Sequence, residues 1–233
     1  MDFPALAAGL ARVREVVAER QHRAGLDHEV RIVAVTKTHG AEAVRAACRA
    51  GLRDVGENRV QEALPKQDAT SDLSMAWHLI GGLQRNKARQ AVGRFALIHS
   101  VDRLELAQEL DRRASAGVPQ PVLVQVNCSG EPQKGGVSPE GLADLLDAVR
   151  PLAHLRLCGL MTMAAYDADE AARRRTFARL RSLRDASEHA GALSELSMGM
   201  SGDYPAAVAE GATILRLGTV LFGEREAGAE RHT

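Results

Sequence analysis

Apolar positions along the chain follow two periods in turn. Leu6, Leu10, Val13, Val16 and Val17 recur at helical spacing behind Pro4, so residues 1–25 are expected to hold an amphipathic helix. Eight short apolar runs follow, at residues 30–38, 54–58, 76–81, 97–102, 122–127, 157–163, 195–201 and 214–222. Each is the length of one strand. Helical patterns separate them, among them residues 41–50, 103–116, 139–149, 170–190 and 204–210. Strands that alternate with helices pair in parallel, because each helix carries the chain back to the end where the next strand starts. Eight such units in 233 residues fit a closed (β/α)8 barrel of the TIM type better than an open doubly wound sheet. No linker or change of composition divides the chain. Residues 1–233 are therefore expected to form one α/β domain, with 224–233 as a polar tail.

The first run, Arg31-Ile32-Val33-Ala34-Val35-Thr36-Lys37, ends on an amine. Side chains alternate along a strand, so Val33, Val35 and Lys37 share one face. A lysine in that place has two readings. It can snorkel its charge to water, or it can be a partly desolvated amine that forms a Schiff base with an aldehyde. The other runs also end on polar residues: Asn58, Ser100 with Asp102, Asn127, Thr162, Ser201 and Thr219. Barrel sites are built at these carboxyl ends. Helix N-capping accounts equally for part of the set, Asp102 before Arg103 first among them.

The last run places Ile214, Arg216 and Gly218 on one face, and with Leu215 and Leu217 packed outward Arg216 points into the barrel. First and last strands meet where a barrel closes, so Lys37 and Arg216 are expected at one mouth. Two like charges there need an anion or an acceptor between them, or else a carboxylate such as Glu57. Ser197-Met198-Gly199-Met200-Ser201-Gly202-Asp203 and Gly218-Thr219 supply small residues and a hydroxyl near the start of a helix. That composition suits a phosphate, and loops after strands seven and eight are the usual phosphate site of such barrels. A phosphorylated aldehyde held on a lysine fits the set, and pyridoxal 5'-phosphate (PLP) is one. A barrel for an unrelated sugar phosphate would need no aldehyde partner for Lys37.

Composition narrows the partners. Thirty basic residues balance thirty acidic ones, which leaves no field to draw the protein onto nucleic acid or an anionic membrane. The N-terminal segment mixes charges into its apolar period, so neither an export signal nor a membrane span is expected. Cys48, Cys128 and Cys158 are an odd number without metal-type spacing, which points to a reducing cytoplasm. The eight histidines show no ligand spacing either, and His78 beside Trp77 is expected as a satisfied barrel residue. Aromatic residues are only 3% of the chain, and no apolar stripe is left over for a dimer, so a monomer is expected. Arg85, Asn86, Lys87 and Arg89 read as a solvated helix face or as an anion or docking patch. The loop 129–138, with Lys134, reads as a flap at the mouth or as plain surface.

Several blocks carry a wider resemblance: Ala34-Val35-Thr36-Lys37, Gly56-Glu57-Asn58-Arg59-Val60-Gln61-Glu62, Trp77-His78-Leu79-Ile80-Gly81 with Leu83-Gln84-Arg85-Asn86-Lys87, Gln125-Val126-Asn127, Gly159-Leu160-Met161-Thr162, and Leu196 to Ser201 through Arg216-Leu217-Gly218-Thr219. In this order and at these spacings the chain resembles the pyridoxal phosphate homeostasis protein family over practically its whole length. The resemblance implies a fold-type III PLP-binding barrel, similar to the N-terminal barrel of bacterial alanine racemase. It also implies Lys37 as the Schiff-base lysine, Arg216 as partner of the pyridine nitrogen, Ser201, Gly218 and Thr219 as phosphate contacts, and Asn58 beside the ring. Arg59 and Gly82 depart from many relatives, which have an aromatic residue and a proline or histidine there.

The family is regarded as a carrier of PLP and a regulator of vitamin B6 balance, which implies apo PLP-dependent enzymes as partners. Guanidinium stays protonated and cannot give the ring a proton, so the ring is a weaker electron sink. The alternative is a PLP-dependent amino-acid racemase of weak activity. Racemisation needs proton donors on both faces of the reacting carbon. Alanine racemases bring the second donor, a tyrosine, from a further domain that this chain is expected to lack. Tyr166, Tyr204 and His39 are the candidates within the barrel.

Overall fold

A computed structural model describes residues 3–114 and 117–223; the polar tail expected at 224–233 lies outside the described residues. The order is α1 (Leu6–Ala24), β1 (Arg31–Val35), α2 (Ala41–Arg49), β2 (Asp54–Glu57), α3 (Val60–Ala69), β3 (Ala76–Leu79), α4 (Ala88–Ala91), β4 (Leu97–Val101), α5 (Leu104–Arg113), β5 (Gln120–Gln125), α6 (Leu142–Val149), β6 (Leu155–Met161), α7 (Glu170–Asp185), β7 (Glu195–Ser197), α8 (Tyr204–Ala209), β8 (Ile214–Leu217) and α9 (Thr219–Phe222). The eight strands close in sequence order into one parallel barrel, as the alternating pattern predicts. β8 closes on β1 with Val33 opposite Arg216 and Ala34 opposite Leu217.

Alternation along the strands divides the core in two. Ala34, Val55, Trp77, Ile98, Val124, Leu160, Leu196, Leu215 and Leu217 point outward and pack under the helices. Val33, Leu97, Leu123, Cys158, Met161 and Ile214 fill part of the interior. The interior also holds the buried polar side chains of His78, His99, Ser197 and Arg216. α1 lies across α8 and α9, and it approaches α9 so closely that a Cβ at Gly9 would meet the carbonyl of Val220. Among the described residues no helix is long and apolar enough to cross a membrane.

The strands are shorter than their apolar runs at the carboxyl end, and backbone geometry gives the reason. β7 stops at Ser197 because Gly199 takes φ 95°, a left-handed value that glycine tolerates. β8 stops at Leu217, and the second half of the run expected at 214–222 folds instead into α9. The turn is held by Ser201 Oγ, which accepts from the amides of Gly218 and Val220 at 3.1 and 3.2 Å. α3 escaped the pattern because it carries Pro65 and buries only Val60, Ala63 and Gln67. Asp102 is no helix cap: its carboxylate accepts from Arg103 at 2.5 Å, whereas Asp169 does cap α7, accepting from the amide of Ala172.

Candidate functional site

Lys37 stands two residues past β1, in a turn at the carboxyl end of the barrel, and it is exposed. The strand ends at Val35, so the lysine lies beyond the buried part of the run. What is fixed is the backbone beneath the lysine. Thr36 donates its hydroxyl to Glu57 Oε1 at 2.5 Å, and Lys66 Nζ donates to the same oxygen at 2.7 Å and to the Thr36 carbonyl at 2.9 Å. Next along the chain, Thr38 holds φ 70°, a costly value for a β-branched residue. Glu57 is fully buried and faces outward beneath α3, so it does not lie between Lys37 and Arg216.

Arg216 points into the barrel as its flanking leucines predict, and it is 3% exposed. Its guanidinium donates to Ser197 Oγ at 2.6 Å and to the Thr162 carbonyl at 2.9 Å. Among the described residues no carboxylate comes within ion-pair distance of it; Asp203 acts on it only from farther off. Burial lowers its pKa to about 10, which still leaves it charged at neutral pH. A buried cation held by two neutral acceptors retains N–H donors for a further acceptor.

The loop after β7 wraps the same end. Gly199 accepts from the amide of Arg216 at 3.0 Å, and a Cβ there would strike Ala207 and Leu215. Asp203 turns its carboxylate back onto the amide of Met200 at 2.5 Å, and burial pushes its pKa up. Ser201 thereby comes to face Gly218 and Val220, with Thr219 exposed beside them. Gly218 follows Leu217 next to the end of β1: a Cβ at Gly218 would lie 3.7 Å from the Val35 carbonyl. Lys37, Arg216, Ser201, Gly218 and Thr219 are thus gathered at one end, across the β1–β8 seam.

Asn58 sits half-buried after β2, pressed by Gly81, where a Cβ would meet the Asn58 carbonyl. The loop 129–138 is pinned to the rim, since Gln125 donates to the Lys134 carbonyl at 2.8 Å and Asn127 to the Glu131 carbonyl at 2.9 Å. Lys134 itself lies 3.9 Å from Glu131. Arg85, Asn86 and Arg89 are exposed. Tyr204 is not at the mouth. It is buried among outward-facing core residues where α8 meets α1, and Tyr166 is 85% exposed. His39 packs against Phe3 and Phe222. Sequence reasoning missed Lys66, which is taken for a surface lysine until α3 is seen to fold it onto Glu57; its side chain is 11% exposed.

Comparison with known proteins agrees with this architecture. The model of the family described as alanine racemase, N-terminal domain, matches residues 9–226. The pyridoxal phosphate homeostasis protein of Pseudomonas aeruginosa is 48% identical over 226 residues, covering 96% of this chain and 97% of that protein. PipY of Synechococcus elongatus, in its structure with PLP bound, superposes with a TM-score of 0.77 at 43% identity, over 89% of this chain and all of PipY. An alanine racemase of Clostridium difficile shares the fold at a TM-score of 0.70 and 17% identity, over 91% of this chain and 57% of that one. Matched over 96% of its length at 48% identity, the chain belongs to the pyridoxal phosphate homeostasis protein family, whose barrel is that of the alanine racemase N-terminal domain.

Proposed function

We propose that the protein holds PLP at the carboxyl end of its barrel and serves PLP homeostasis and supply, rather than turning substrate over. The observation that carries this reading is Arg216: a buried guanidinium whose only hydrogen-bond partners among the described residues are a hydroxyl and a carbonyl. Such a group fits a neutral ring nitrogen as acceptor, and the donor set around it fits the rest of the cofactor. Lys37 Nζ is the amine that condenses with the aldehyde, and its exposure keeps it open to exchange. The amides of Gly218 and Val220, now on Ser201 Oγ, together with the Ser201 and Thr219 hydroxyls, are the donors for the phosphate. Asn58 lies beside the ring.

Bound PLP supplies a carbonyl that condenses with amines and a ring that withdraws electrons when its nitrogen is protonated. Arg216 donates a hydrogen bond without surrendering its proton, so it orients the ring and leaves that withdrawal weak. Of the candidate proton donors, Tyr204 is packed under α1, the His39 ring is packed against Phe3 and Phe222, and Tyr166 is 85% exposed. This favours a carrier, with apo PLP-dependent enzymes as recipients and a monomeric barrel. The racemase reading rests on the shared fold.

Borohydride reduction of PLP-loaded protein, followed by peptide mass mapping, tests the site. A pyridoxyl group on Lys37, absent from Lys37→Ala, supports it; no adduct, or adducts scattered over exposed lysines, overturns it. Steady catalytic exchange of the α-proton of alanine for deuterium by the loaded protein would replace the carrier with a racemase.

A further inference from the structure

The interior of the barrel beneath Arg216 is crossed by a continuous row of polar side chains. Arg216 meets Ser197 Oγ at 2.6 Å, Ser197 Oγ meets His99 Nδ1 at 2.8 Å, His99 Nε2 meets His78 Nδ1 at 2.9 Å, and His78 Nε2 meets Asp54 Oδ1 at 2.9 Å. Five strands, β8, β7, β4, β3 and β2, give one residue each. His78, His99 and Ser197 are at most 1% exposed, so bulk water does not reach them. Asp54 begins β2, at the end of the barrel opposite Lys37, and its side chain is 21% exposed.

The partners leave one direction for the protons. A carboxylate only accepts, so His78 Nε2 donates to Asp54. A neutral ring then presents Nδ1 of His78 as acceptor, which makes His99 Nε2 the donor. His99 Nδ1 in turn accepts, and the proton reaching it is the one on the Ser197 hydroxyl. Ser197 Oγ, having given its proton, takes the N–H of Arg216. Every donor finds an acceptor only when both rings are neutral and both carry their proton on Nε2. A proton added to either ring breaks this order: with two N–H groups on one imidazole, a donor is driven back along the row and the Ser197 hydroxyl is left facing N–H groups on both sides.

We propose that Ser197, His99 and His78 are positioning residues that aim the Arg216 guanidinium at the cofactor, by linking it through one directed row of hydrogen bonds to the carboxylate of Asp54. The inference rests on the PLP reading above and deepens it. The row gives a buried cation without an adjacent carboxylate an indirect link to one, and it denies the guanidinium a second orientation. Burial supports the neutral state, holding His99 well below its usual pKa, with His78, Arg216 and Arg31 adding to the effect. The charged groups around the row are Arg31 on β1, which lies 3.9 Å from Asp54 and 3.4 Å from Glu195 of β7, and Arg216 on β8, itself faced by Asp203.

The first test needs no cofactor. Nitrogen-15 NMR of the histidine rings in the cofactor-free protein, above neutral pH, should show His78 and His99 neutral and protonated on Nε2; a proton on Nδ1 of either overturns the proposal. The second uses His99→Asn, which keeps an acceptor for Ser197 but cuts the link to His78, and Asp54→Ala, which takes the acceptor from His78 Nε2 at a partly exposed position that spares the fold. PLP should still be trapped on Lys37 in both, with affinity about tenfold weaker, the visible absorption of the bound cofactor shifted and the acid limb of the binding profile displaced. If His99→Asn does not fold, Asp54→Ala decides. Wild-type affinity and spectrum in folded variants overturn the positioning role alone. A wild-type protein that traps no PLP overturns the carrier reading and the aim toward PLP, while the NMR pattern still decides whether the row exists.

Discussion

Lys66 Nζ lies 2.7 Å from Glu57 Oε1 with both side chains out of water, at 11% and 0% exposure. The pair sits behind the strand ends rather than in the mouth, and its second bond, to the Thr36 carbonyl, fixes the peptide that leads into Lys37. Glu57 Oε2 has no partner among the described residues, so the carboxylate depends on Lys66 and on the Thr36 hydroxyl.

Removing the cation should therefore cost more than removing the anion's charge. Lys66→Met leaves Glu57 buried and uncompensated and is expected to lower stability by about 3–5 kcal/mol, the usual consequence of breaking a buried ion pair from one side. Glu57→Gln keeps an acceptor for Thr36 and should lose less. Urea unfolding reads both, and equal losses would remove the asymmetry. If the pair also sets Lys37, Lys66→Met should be trapped by borohydride more slowly under conditions where it remains folded.

Arg216 should show a different trade. Its pKa is lowered to about 10 by burial, a sign that the fold bears a desolvation penalty for it. Arg216→Met has similar volume and no charge, but it leaves the Ser197 hydroxyl and the Thr162 carbonyl without their donor, so relief of the penalty is offset and stability should fall by no more than about 1–3 kcal/mol, while PLP affinity falls by tenfold or more, about 1.4 kcal/mol at least. Thermal unfolding and a PLP titration separate the two effects. A variant that loses stability and keeps its affinity would make Arg216 a structural residue.

The pH dependence of stability has a definite sign. The native state keeps His99 neutral, its pKa well below the ordinary 6.5, chiefly through burial. Below 6.5 the unfolded chain binds a proton that the native state does not, so the contribution of His99 is full above that pH and is lost as pH falls beneath it. One such group gives a slope of up to about 1.4 kcal/mol per pH unit. Urea midpoints taken across this range should decline in acid and decline less in His99→Asn. Equal slopes in the two proteins would mean that His99 takes its proton freely.

The barrel was legible because its strands and helices differ in period, and Arg216 because Leu215 and Leu217 on either side fix which way it faces. The limits of the strands were not legible. They depend on Gly199 at φ 95°, a backbone value that an apolar pattern does not record, and on Ser201 reaching across to Gly218 and Val220, a contact that is not local to the run it ends. The pairing of Lys66 with Glu57 was missed for a similar reason, since only the fold of α3 over β2 brings them together. The row from Ser197 to Asp54 left a weak signal. In Trp77-His78-Leu79 and Leu196-Ser197-Met198 a polar residue stands between apolar ones at an inward position, and Ile98-His99 repeats half of that pattern. Each alone is an ordinary barrel residue, and only the packing of the strands shows that they touch.

Ser201 offers the sharpest test of the phosphate end, because it does two things that can be separated. Its oxygen holds the amides of Gly218 and Val220 where β8 gives way to α9. Losing that acceptor in Ser201→Ala should cost the cofactor-free protein about 1 kcal/mol, as for a lost helix cap. If the same amides and hydroxyl also receive the phosphate, the variant should bind PLP more weakly while its affinity for pyridoxal, which has no phosphate, hardly changes. The ratio of the two affinities is therefore the quantity to measure, since destabilisation common to both ligands cancels in it. The ratio should fall several-fold in Ser201→Ala. An unchanged ratio with a lowered melting temperature would leave Ser201 as the cap of α9 and move the phosphate elsewhere on the rim. PLP should also raise the melting temperature of the wild-type protein more than pyridoxal does at equal concentration, since stabilisation grows with the logarithm of ligand over dissociation constant. That difference should shrink in the variant in step with the affinity ratio, because both report the same lost contact.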